Sequence, residues 1–105
     1  MATDWSTVRS DAISAARGVL SGAWASASAG ATGAIASLVQ TAQYIDENKE
    51  KMTEDEYKLL ASQQKTALQN VLTAYEAIGI AAAQNALAAV VNAILKDVPG
   101  LLGIL

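Results

Sequence analysis

The 105-residue chain has no cysteine, no histidine and no phenylalanine, and a single proline. Thiol nucleophiles, disulfides, zinc sites of the usual ligand set and imidazole acid–base catalysis are therefore excluded together. Basic residues are few, seven against ten acidic ones, giving a formal net charge of −3. Nucleic-acid binding rests on neutralised phosphates, so this balance counts against a nucleic-acid partner. The lack of Lys/Arg runs likewise counts against docking on an anionic membrane by charge alone. Bulk is scarce too: hydrophobic residues make up 52 %, yet much of this is alanine, and two tryptophans and three tyrosines are the only aromatics. A single domain of this length buries a modest share of its surface, so too little bulk predicts association with further copies.

What is present is helical texture. Gly18 to Ile45 runs 28 residues without a charge or a proline, and between Trp24 and Ile35 hardly any side chain exceeds threonine. Thr3 or Asp4 suits a helix N-cap, and Trp5 opens the apolar pattern. Ile13, Ala16, Leu20, Trp24, Ala27, Ala31, Ile35, Leu38, Ala42 and Ile45 recur at spacings of three and four, one face of a helix. Gly30 and Gly33 are its expected weak points, each costing about 1 kcal/mol against alanine. Strands are not expected, since no period-two alternation occurs. The acids Asp4 and Asp11, ahead of a short apolar run at Val19 to Trp24, speak against a cleaved secretory signal at Ala25-Ser26-Ala27.

Asp46 to Met52 concentrates charge and reads as a turn. Thr53 and Glu56 then form a capping box, with Glu54, Asp55 and Glu56 at the positive end of the helix dipole. A second apolar stripe follows through Tyr57, Leu60, Leu68, Val71, Leu72, Tyr75 and Ile78, drifting to Leu87, Val91, Ile94 and Leu95, and Pro99-Gly100 ends it. The expected fold is a single all-α domain, an antiparallel two-helix hairpin: helix 4–46, turn 47–53, helix 54–96 and apolar tail 97–105. Each arm would be about 63 Å long at 1.5 Å per residue, with Trp24 near Tyr75 and Tyr44 near Tyr57. Such a rod leaves apolar faces uncovered and predicts a homo-oligomeric bundle, ring or tube. Its expected packing and oligomer interface comprises Gly18, Gly22, Trp24, Gly30, Gly33, Ile35 and Leu38.

Two stretches approach the ~20 residues needed to span a bilayer: Gly18 to Ile45, and the 19 uncharged residues from Ala77 to Leu95. The first has small-xxx-small spacing suited to close helix approach in lipid, but few of the residues that favour insertion. The second carries Gln84, Asn85 and Asn92, amides that can fix register between subunits or line a wet lumen. Glu54-Asp55-Glu56 reads as a cap rather than a cation site, because consecutive helical residues point in different directions. Arg17 and Glu76 are a candidate cross-arm ion pair. No nucleophile–base pair, phosphate loop or dinucleotide fingerprint occurs. No catalytic, cofactor or metal site is expected, and the chain is read as a non-enzyme.

Secreted two-helix hairpins share this size, but Trp5-Ser6-Thr7 and Trp24-Ala25-Ser26 lack their Trp-x-Gly turn. Phage holins are similar in length and in uncharged helices; this chain departs from them in lacking a basic terminus. In the run Ala23 to Ala36, the long uncharged helices and the short apolar tail, the whole chain resembles the small Ala/Gly/Ser-rich internal virion proteins of short-tailed bacteriophages. That resemblance is one of texture and transfers no residue roles. It implies a non-enzymatic, self-assembling protein, packaged in the virion and ejected to help build a conduit through the host cell envelope. Expected partners are copies of itself, a lipid bilayer and other virion or ejection proteins. The alternatives are a holin-like pore former and a soluble cytoplasmic scaffolding or adaptor protein.

Overall fold

A computed structural model describes residues 3–105. Among them are four α-helices and no strand: α1 (Trp5–Leu20), α2 (Trp24–Asn48), α3 (Glu54–Thr73) and α4 (Ile80–Asp97). Single 3₁₀ turns occupy Ser21–Ala23, Lys49–Lys51 and Pro99–Leu101. Two helix starts are set by local chemistry. The Asp4 carboxylate accepts the N–H groups of Ser6 and Thr7 and both their hydroxyls, opening α1. Those bonds, the Ser6 hydroxyl foremost, hold Asp4 below the usual carboxylate range. At α3 the Thr53 hydroxyl accepts from the Glu56 N–H at 3.2 Å, while the Glu56 carboxylate accepts from the Thr53 N–H at 2.9 Å. This reciprocal pair satisfies two donors that a helix start otherwise leaves orphaned.

The long two-helix rod is corrected, because each arm is broken in two. The first arm ends at Leu20, where Ser21 takes φ 51° and ψ −121° and its N–H closes back on the Arg17 carbonyl. Gly18, Ser21 and Gly22 are weak helix formers clustered within five residues, which explains why the break falls here. Gly30 and Gly33, the expected weak points, stay inside α2. The second arm stops at Thr73 and restarts at Ile80, with Gly79 extended (φ −73°, ψ 164°) as the N-cap of α4.

These two reversals give the apolar stripes a cover within one chain. α1 packs chiefly on α4 and α2 chiefly on α3, with thinner packing of α1 on α2 and of α3 on α4. The bundle measures 41 × 27 × 19 Å with a radius of gyration of 13.3 Å, close to the ~13 Å of a compact domain this long. Its accessible surface of 5831 Å² is near the ~5,500 Å² of an ordinary monomer of this mass. The premise that this chain cannot cover its own apolar faces is therefore overturned.

The core runs along Val8, Ala12, Ala16 and Leu20 of α1, Ala27 to Ile45 of α2, Leu68 and Leu72 of α3, and Ala83 to Ile94 of α4. Buried leucine, isoleucine and valine side chains stabilise by about 1.5–3 kcal/mol each, so Val8, Ile35, Leu38, Ile45, Leu68, Leu72, Val90, Ile94 and Leu101 carry most of that term. The alanines set how closely the helices approach. No polar or charged residue is buried among the described residues.

The apolar tail folds back into the bundle. Val98 and Leu101 are buried, and Ile104 and Leu105 pack against the core. The Lys49 ammonium donates to the Gly100 carbonyl at 3.2 Å, and Lys65 donates to the Leu105 carbonyl at 3.4 Å. Among the described residues no helix is long and apolar enough to cross a membrane. The uncharged run from Gly18 is interrupted at Ser21, and the run from Ala77 loses its first residues to the turn before Ile80.

Candidate functional site

The expected interface residues scatter once the bundle is folded. Ile35 and Leu38 are fully buried within the subunit, leaving no surface to offer another copy, and Trp24 is half-buried. Gly30 faces its own chain: a Cβ there would collide with the Tyr75 hydroxyl and touch Val71 Cγ1 at 3.5 Å. Gly18, Gly22 and Gly33 instead open onto space, with nothing within 4 Å of an added Cβ. The amides of Gln84, Asn85 and Asn92 all lie on the exposed side of α4. Since no polar side chain enters the core, they do not fix helix register inside one subunit. Arg17 and Glu76 form no ion pair. Arg17 instead donates to the Ser14 hydroxyl at 3.5 Å, and the ion pairs among the described residues are Lys49–Asp46 and Lys58–Glu54.

A surface not singled out by the glycines lies between α2 and α3. Ser37, Gln40, Thr41, Tyr44, Leu60 and Gln64 line a groove of about 490 Å³. At Tyr44 and Leu60 it adjoins a second depression of about 480 Å³ that reaches Met52 and Leu59. Tyr44 is 55 % exposed and Leu59 58 %. The first groove has no charged residue in its lining, whereas Lys51 and Glu56 stand beside the second. An uncharged segment with a tyrosine, continued into one that carries Met52 between charges of both signs, matches the make-up of protein–protein interfaces. The sequence carried one signal for it: Leu59 falls off the helical stripe of Tyr57, Leu60, Leu68, Val71 and Leu72, an apolar side chain outside the expected core face.

A second constellation joins α1 to the end of α4. The Asp97 carboxyl stands beside the Asp11 carboxyl, and its Oδ2 is buried without a hydrogen-bond partner. The contact with Asp11, then burial, raises Asp97 above the usual carboxylate range. Two carboxyls can share a hydrogen bond only when one keeps its proton. Neither belongs to a group of three or more metal-ligating side chains, and no such group occurs among the described residues.

The class these features define is an all-helical bundle with an open, uncharged groove on one helix pair. No protein family, curated protein or solved structure matches the chain.

Proposed function

We propose that this chain is a non-enzymatic structural protein that works by self-association, with the face around Tyr44, Leu59 and Leu60 as its contact surface. The observation that carries the reading is that Tyr44 and Leu59, two of the exposed large apolar side chains, stand together along two adjoining grooves. Two neighbouring groove segments provide a longer strip than isolated exposed residues would, and such strips favour partner binding. Taken with the Ala/Gly/Ser-rich texture, the reading extends to an internal virion protein of a short-tailed phage. In that setting, copies assemble with one another and with other ejection proteins at the host envelope.

A soluble scaffolding or adaptor bundle is the second reading, favoured by the absence of a helix long and apolar enough to cross a membrane among the described residues. The same observation leaves the holin-like alternative without support. Sedimentation equilibrium of the purified chain, with and without liposomes, tests the proposal. Association that strengthens with concentration and is weakened in Leu59→Glu and Tyr44→Ser is the expected result. A strictly monomeric chain at all concentrations, inert towards liposomes, would remove it.

A further inference from the structure

Ser21 is the one non-glycine residue with positive φ among those described, and its φ 51°, ψ −121° lies outside even the small left-handed region open to L-residues. Helical dihedrals flank it at Leu20 (φ −78°, ψ −22°), Ala23 (φ −69°, ψ −19°) and Trp24 (φ −57°, ψ −39°). Rotation at essentially one strained residue therefore separates α1 and α2 from a single continuous helix. The other break, from Ala74 to Gly79, lies at the same end of the bundle, since Gly30 of early α2 meets Tyr75. The Lys49–Gly100 contact marks the opposite end. The two pairs that pack most heavily, α1 with α4 and α2 with α3, are the two halves that these joints connect. Close to the joints the core combines the small Ala16, Ala27 and Ala31 with the larger Leu20, Leu72 and Ile78, all buried, so opening exposes apolar area that is covered again only when the same contacts re-form with a second copy.

We infer that Ser21 and the Ala74–Gly79 segment are paired hinges, about which the α1/α4 half swings away from α2/α3 and exchanges with the same half of a second copy. A strained, short connection is the setting in which such exchange arises. The occupant follows from the fold itself. An opened chain displays two mutually complementary faces, and a second opened copy can re-form every contact between them, with the joints alone changed. This exchange uses a different surface from the Tyr44 face, so it holds or fails independently of that reading.

The chain has no native cysteine, so spin labels at Arg9→Cys and Gln43→Cys report cleanly. Both positions line one depression in the closed bundle. In the opened chain they stand 34 residues apart along a continuous helix, roughly 51 Å. With labelled chain diluted in excess unlabelled chain, electron–electron distance measurements on the dimer fraction should show the long intrachain distance, and the monomer fraction the short one. Ser21→Gly relieves the strain and weakens the continuous helix, so it should lower the dimer fraction roughly tenfold. Ser21→Ala with Gly22→Ala should raise it, because nothing within 4 Å obstructs a Cβ at residue 22. A dimer that retains only the short distance would overturn the exchange, as would a chain, variants included, that stays monomeric and closed. So would a long distance appearing only on lipid vesicles in a monomeric species. Leu59→Glu should leave the exchanged dimer intact, which separates this outcome from loss of the Tyr44 face.

Discussion

The Tyr75 hydroxyl lies against Gly30, in the space that a side chain at residue 30 would need, whereas Gly33, less than one helical turn further along α2, faces nothing within 4 Å. The same residue type thus plays two roles on one helix. Gly33→Ala should stabilise the bundle by about 1 kcal/mol through helix propensity alone. Gly30→Ala should gain clearly less, because the tyrosine ring must move aside. Gly30→Leu should cost about 1–3 kcal/mol by overpacking. Urea unfolding followed by helical circular dichroism measures all three, and equal gains at the two glycines would mean the tyrosine contact is absent.

The α3 cap supplies a pH-dependent term. The Thr53 N–H, with the Thr53 hydroxyl second, holds the Glu56 carboxyl below its ordinary value. A carboxyl lowered on folding contributes stability that is present above its unfolded pKa and is lost as pH falls through the folded one. Thr53→Ala should cost about 1 kcal/mol at neutral pH. Glu56→Gln should flatten the acid limb of a folded-fraction profile recorded at fixed urea.

Asp97 works in the opposite direction. Its carboxyl is raised, first by the Asp11 contact, then by burial and by the Asp11 charge, with Lys96 opposing. The folded state therefore holds this proton more tightly than the unfolded chain does. Stability from the pair is present below the ordinary carboxylate pKa and declines as pH rises through the raised value. Asp97→Asn, whose amide can donate to Asp11, should raise neutral-pH stability by about 1 kcal/mol and move the stability maximum to higher pH. An unchanged midpoint at pH 7 would count against the carboxyl contact.

The tail offers a contrast between neighbours. Leu101 is fully buried and Leu102 is 77 % exposed. Leu101→Ala should destabilise by about 2–5 kcal/mol, and Leu102→Ala by less than about 0.5 kcal/mol. Thermal unfolding of the two variants side by side makes the measurement.

Helix-forming texture and core positions were largely legible from spacing. Ala16, Leu20, Ala27, Ala31, Ile35, Leu38, Ala42 and Ile45 all lie on the expected face and are all buried. The Thr53 and Glu56 cap could be read because its chemistry is local. The breaks could not be placed as easily, because one glycine in a helix costs about as much as another. Whether a helix ends at Ser21 or bends at Gly30 depends on what the partner helix offers, and Tyr75 is on that partner. The drift of the second stripe after Ile78 was a sign of the turn before α4, visible only as a change of phase. The Tyr44–Leu60 groove escaped notice for a similar reason: it exists only where α2 and α3 lie side by side.

An interior set by Ala12, Ala16, Ala27, Ala31 and Ala42, all fully buried, inverts the usual map of mutational tolerance. Shortening a side chain at these sites can remove no more than one methyl group, while lengthening one by even a few carbons drives a wedge between helix axes. The positions where variation is least permitted are then the plainest letters in the sequence, and enlarging them is the quickest way to pry the bundle apart.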